Sequence, residues 1–312
     1  MASRDLYDAS IRLQILIEAL KANFQLLFNP VIAELETQVN ALLYAAKAES
    51  MGDLTKRDLE LLVAKVHKLQ IKIYSDYVGT ITDEMRDFAD TLGEVLTAVY
   101  EVDPKKDSRV WSAATNEPIG ANGVFVGAFV QSFAASGTVQ IENMIRKAYA
   151  NAKTKTQTAQ DVVANLNKIR FQSNAVTNTN IQHIAAMVSQ SYAAGRFGYY
   201  RWVSIIDAAT TEICYERNNK RFRYGEGPLP PAHINCRSTI VPDEDGQNTK
   251  AETFFSFLKR QGNVIQNIAL GTRTAEAFRA GRVKAADLMK LANPQALTTS
   301  DFKKSVQLII EG

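Results

Sequence analysis

Cys214, His233 and Cys236 are the residues whose types and spacing carry the most chemistry. The 312-residue chain has only two cysteines and three histidines. Both cysteines and one histidine fall in a C-x18-H-x2-C arrangement that ends inside "PPAHINCRSTIVP", residues 230–242. Thiolate and imidazole are the ligands zinc favours, usually four of them in a structural site. Asp207, Glu212 or Asp243 is at hand to complete such a set, and a water in that place would leave the open position of a catalytic zinc. Packing is a second reading, with two small buried thiols and a histidine satisfied by a backbone carbonyl. A Cys214–Cys236 disulfide, formed in an oxidising environment, is a third. A cysteine nucleophile with His233 as base is the weakest, since nothing at recognisable spacing supplies an orienting acid or an oxyanion hole. Arg237 either lowers a thiol pKa or pairs with Asp207 to pin the local hairpin.

The elements that must position these residues follow from periodicity. "YYRWVSII", "KRFRYG" and "RSTIV" alternate and are rich in aromatic and β-branched residues. They read as short strands of a small antiparallel sheet over about 199–242. The loop before the last strand is stiffened by Pro228, Pro230 and Pro231. Upstream the chain reads as helix. Pro30 fits a helix start, and Met85, Phe88, Leu92, Val95, Leu96 and Val99 form an apolar stripe, with Thr82 as its expected N-cap. "ESMGDLTKRD" at 49–58 breaks the helices. Phe125, Phe129 and Phe133 recur every four residues and are expected to face a core. Thr158 with Asp161 is expected to cap the next helix. His67 reads as an ordinary helix residue and His183 as a polar-face residue, because it lies off the stripe of Ile181, Ile184, Val188 and Tyr192. After Pro242 the pattern returns to helix.

The expected fold is therefore α+β and mostly α-helical: a long N-terminal helical arm (1–103), a core with the small sheet (104–250), and C-terminal helices (251–312). "EVDPKKDSRVWSAATNEPIGANG" at 101–123 is the clearest boundary. No run of 18 apolar residues and no apolar leader pattern occurs, so no membrane partner is expected. Two cysteines imply synthesis in a reducing compartment. Residues 1–103 hold 10 Lys/Arg against 17 Asp/Glu, and the remainder 26 against 16. The basic part either faces something anionic or is one of two solvated surfaces.

"YYRWVSIIDAATTEICYERNNKRFRYGEGPLPPAHINCRSTIVP" resembles the head-morphogenesis domain of phage Mu F-like minor head proteins. Trp202 takes the family's strand tryptophan. Asp207, Thr210 or Thr211, and Cys214 take its Asp-x-x-Thr-x-x-Cys segment, with one residue more than the common spacing. Lys220 and Phe222 fill the hairpin, with Asn219 where glycine is usual. Pro230, Pro231, His233, Cys236 and Arg237 match without a gap. Gly271, Phe278, Gly281 and Asp287 follow in the family's order, so the resemblance covers roughly 120–290. It implies a virion protein of a tailed phage, made in the host cytoplasm and placed inside the capsid at the portal vertex. The portal protein would be its partner, with major capsid or scaffolding protein and packaged double-stranded DNA as further ones. It would assist head assembly and DNA packaging or ejection, without enzymatic activity. It also implies that Cys214, His233 and Cys236 stabilise the fold, with Trp202 and Arg237 structural in the same motif. The competing expectations are a zinc-dependent enzyme such as a nuclease, and a DNA-binding protein that works alone.

Overall fold

The computed structural model describes residues 3–205, 210–243, 253–284, 287 and 295–310. Helices α1 (Ser3–Leu26), α2 (Asn29–Ala45) and α3 (Lys56–Tyr100) lead into α4 (Asp107–Thr115), α5 (Val126–Ala150) and α6 (Lys155–Ala193). The sheet follows: β1 (Tyr199–Ser204), α7 (Glu212–Arg217), β2 (Arg221–Arg223) and β3 (Ser238–Asp243). Then come α8 (Phe254–Lys259), α9 (Asn263–Leu270), α10 (Thr272–Arg279) and two short helices, Thr299–Lys304 and Val306–Ile310. The expected class, mostly helical with one small antiparallel sheet, is borne out. Strand order is β2-β1-β3, both pairings antiparallel.

The contacts gather into two compact units. The first comprises Met1–Phe24, Glu84–Val126 and Asn178–Gly312; the second, Gln25–Asp83 and Gly127–Thr177. Helices α3 and α6 each contribute residues to both units. The second unit is all helix. Its centre is aromatic, with Phe28 edge-on to Tyr77 at 4.8 Å and to Phe133 at 5.4 Å between ring centroids, an arrangement that ring quadrupoles favour. The first unit draws in both ends of the chain. The Leu297 N–H donates to the Ala19 carbonyl at 3.1 Å. Arg12 donates to Gln261 at 2.7 Å, and Phe88 meets Phe302 edge-on at 5.7 Å.

Several local expectations change. The Thr82 hydroxyl donates to the Val78 carbonyl at 2.7 Å inside an unbroken α3, so it is a back-bonding interior residue and not a cap. The cap of α6 is Thr154, four residues before Thr158. Thr154 Oγ1 accepts the Gln157 N–H and Gln157 Oε1 accepts the Thr154 N–H, which is a reciprocal capping box. The buried face of α5 is Val126, Val130, Phe133 and Ala134, while Phe125 is exposed. Phe125 precedes the first turn of α5, and a spacing of four slips about 40° per step against a 3.6-residue turn, which leaves Phe129 only half-buried beside Phe133. His183 is 1% exposed. Residues 179–189 are buried on every side, and a helix enclosed all round has no polar face for periodicity to find. His67 is the ordinary surface residue expected, paired with Glu142 at 2.6 Å.

Leu6–Ala45 contains an 18-residue window of mean hydropathy 1.3, apolar enough by length and composition to cross a membrane. That window is 56% buried within the protein, as the core helix of a globular chain is. The Asn29–Ala45 part begins with Pro30 in its first turn, where the missing N–H costs nothing.

Candidate functional site: a thiol–imidazole clasp on the sheet

Strand β1 sets the site. Alternation puts Tyr200 and Trp202 on the same inward face, and both are fully buried. Trp202 pairs with Ile240 of β3 in the register. Around Trp202 pack Cys214, Cys236, Phe222 and Ala232. Arg217 of α7 lies over the indole ring at 5.1 Å.

The three residues singled out by spacing do converge. Cys214 Sγ lies 3.2 Å from His233 Nε2 and 3.6 Å from Cys236 Sγ, and the three candidate ligand atoms lie within 4.8 Å of one another. Both sulfurs are free thiols, buried, with His233 half-buried. The His233 Nδ1–H donates to the Ile234 carbonyl at 2.8 Å. A carbonyl can only accept, so Nδ1 carries the proton and Nε2 presents its lone pair toward Cys214. The thiols polarise each other. The hydrogen bond between the two thiols, with help from backbone groups of Ser238 and Ala232, holds the Cys236 thiol below its ordinary value against burial. The same bond, reinforced by burial, pushes Cys214 above its ordinary value.

Of the other candidates, Asp207 lies outside the described residues. Glu212 is exposed at the start of α7 and is not among the converging groups. Asp243 is committed elsewhere: it pairs with Arg201 at 3.2 Å and Arg221 at 3.0 Å, tying β1, β2 and β3 together from β3's far end. Arg237 begins the approach to β3, directly after Cys236.

The surrounding frame explains how the loop arrives. Asn235 has φ of 60°; its N–H donates to Thr179 Oγ1 at 3.1 Å, and Asn178 donates to its side chain at 3.0 Å. Helix α6 thus holds the His-x-x-Cys loop from beneath. Ser204 is a hub that spacing did not single out. Its hydroxyl donates to the Cys214 carbonyl at 2.9 Å, so it must accept from Trp202 Nε1 and from Ser238, each also at 2.9 Å.

Equally unforeseen is a buried polar chain from α1. Lys21 Nζ pairs with Glu18 at 2.6 Å and donates to Gln182 Oε1; Gln182 Nε2 donates to the Ser238 carbonyl at 2.8 Å. Lys21 is 2% exposed, and a charge so placed needs partners. Lys21→Ala is expected to cost about 2 kcal/mol, because Glu18 loses its countercharge and Gln182 Oε1 loses one of its two donors. Chemical unfolding with a loss under about 0.5 kcal/mol would show that water replaces the ammonium without penalty.

Asn219 accounts for its own departure from the family pattern. Its φ is 63°, the left-handed region where glycine and then asparagine are best tolerated. Its N–H donates to the Trp202 carbonyl at 2.8 Å, fastening the turn from α7 into β2 onto β1. Asn219→Gly should be near neutral, and Asn219→Val should lose about 1–2 kcal/mol. Equal melting temperatures for the two variants would refute this account.

A clasp of two buried thiols and a tautomer-fixed imidazole, joining a short helix and a loop across a three-stranded sheet, defines a sheet-stabilising module on a helical body. It is not an open cleft built around an exposed nucleophile. Residues 139–241 match the family model described as Phage Mu protein F like protein, which bears out the resemblance over the span holding Trp202, Cys214, His233 and Cys236. The Gly271–Asp287 segment lies beyond the match. No curated protein and no solved structure matches the chain.

Proposed function

We propose that this chain is a structural minor head protein of a tailed phage, working by binding and placement inside the capsid. The observation that carries the reading is the family match over 139–241. The site agrees with it. The two thiols are buried, His233 Nδ1 is committed to a backbone carbonyl, and the converging groups brace Trp202. A residue braced in this way holds strands together, whereas a nucleophile needs access to substrate.

In the finer reading the protein sits at the portal vertex and contacts the portal protein, with scaffolding or major capsid protein beside it. Its basic part, residues 104–312 with 26 Lys/Arg against 16 Asp/Glu, lies toward packaged DNA. The test is quantitative mass spectrometry and cross-linking on purified heads. The full-length chain should be present at a small fraction of the major capsid protein and cross-link to portal subunits. Its absence from heads would sink the structural reading. Presence without portal cross-links would remove the vertex placement. DNA affinity of the purified chain should fall steeply with added salt; binding that is indifferent to salt would refute the genome-facing assignment.

A further inference from the structure

We propose that Cys214, His233 and Cys236 hold a structural zinc ion that staples α7 to the loop entering β3. Two of the three ligand separations are close to those the ion imposes. Two sulfurs each about 2.3 Å from a tetrahedral zinc lie about 3.7 Å apart, and a sulfur and an imidazole nitrogen about 3.5 Å apart. The observed separations are 3.6 Å between the sulfurs and 3.2 Å between Cys214 Sγ and His233 Nε2, while Cys236 Sγ and His233 Nε2 lie within 4.8 Å of each other. A chain of hydrogen bonds centred on Cys214 gives the same two distances, so what points to a metal is the convergence of two sulfurs and an imidazole nitrogen on one place.

The imidazole is prepared in the way metal ligands are. Its Nδ1–H is anchored on the Ile234 carbonyl at 2.8 Å, which fixes the tautomer that presents Nε2 to the sulfurs. The ligands arrive on supported backbone. Cys214 is the third residue of α7, whose Cys214 carbonyl is held by Ser204. The loop that carries His233 and Cys236 is fastened to α6 through Thr179 and Asn178. Held in place this way, the three ligands need little reordering to close on an ion, which favours tight binding. Zinc would take both sulfurs as thiolates, and its charge would neutralise them in the buried site. Among the described residues no fourth His, Cys, Asp or Glu joins the group, and the assignment covers these three alone.

Elemental analysis of full-length protein purified without chelator should find about one zinc per chain. Exchange for Co2+ should produce the visible bands of tetrahedral cobalt bound by thiolate. Dialysis against a strong chelator should lower the melting temperature by about 5 °C or more, with recovery on adding Zn2+ and none with Mg2+. Because Cys236→Ser alters the packed core and can unfold the chain by itself, His233→Gln carries the variant test. It should keep its far-ultraviolet circular dichroism and lose the zinc. Four results overturn the proposal: zinc below about 0.1 per chain with no cobalt spectrum, a melting temperature that ignores Zn2+ and chelator, full zinc retention in His233→Gln, or a Cys214–Cys236 disulfide in protein prepared anaerobically. The head-protein reading does not depend on the outcome, since it is judged by the presence of the chain in purified heads.

Discussion

Trp202→Ala is expected to destabilise the unit that holds the sheet by about 4 kcal/mol. The indole is fully buried, and three separate contributions end with it. Its removal deletes the surface against which Cys214, Cys236, Phe222 and Ala232 pack. It leaves the Ser204 hydroxyl without the donor that it accepts at 2.9 Å. It also strips the ring from beneath Arg217, a contact worth about 0.5–1 kcal/mol near a surface. Neighbouring side chains cannot collapse into the gap, because the sheet register fixes β1 against β3 on one side and α7 is tied to β1 through Ser204 on the other. Urea unfolding followed by circular dichroism measures the loss. A value under about 1.5 kcal/mol would mean that the clasp stands without its tryptophan. Trp202→Phe should recover about half, since it restores apolar volume without the N–H donor.

The second large effect is a dependence on pH. Burial holds His183 down to about 4, against backbone hydrogen bonds to Glu117 and Ala114 that favour its charged form. The unfolded chain binds a proton at this residue near pH 6.5, and the folded chain resists doing so until about pH 4. Protons then favour the unfolded state throughout that interval. Stability is unaffected by His183 above pH 6.5 and falls as the pH drops toward 4, by about 3 kcal/mol in all. His183→Gln should remove this part of the acid sensitivity while carboxylates keep theirs. The stability difference between wild type and variant, followed from pH 7 to pH 4, isolates it. Parallel curves for the two proteins would show that His183 titrates as a solvated residue does.

What could be read beforehand depended on how local the cause was. The strands were visible because alternation and β-branched residues report a half-buried sheet directly. The convergence of Cys214, His233 and Cys236 was visible because rare residue types were confined to one hairpin. The buried Lys21–Gln182 chain was not, since a lysine and a glutamine on helices look solvated until the partner 161 positions away is known. Ser204 was missed for the same reason: its role comes from three partners on different elements. The helix caps failed by competition. Thr82 and Thr158 carry capping chemistry, but a threonine hydroxyl also bonds the carbonyl four residues back, and both do so. His183 was misplaced because one apolar stripe was taken to define one buried face, whereas residues 179–189 have no exposed face.

The way α1 and the helices after β3 meet in one unit has a consequence during synthesis. Gln25–Asp83 and Gly127–Thr177 form a unit nested inside the segments of the other, so its partners have all left the ribosome once about the first 177 residues have emerged. The unit with the clasp must wait. Ala19 is an acceptor for the Leu297 N–H, and Arg12 is a donor to Gln261, so α1 is completed only by residues made long after it. Long-range closure of this kind is slow. Until it happens, Leu16, Leu20 and Phe24, all fully buried in the finished protein, stay uncovered on the nascent chain. Helix α1 is thus a segment in need of protection, as by a chaperone, until its later partners arrive.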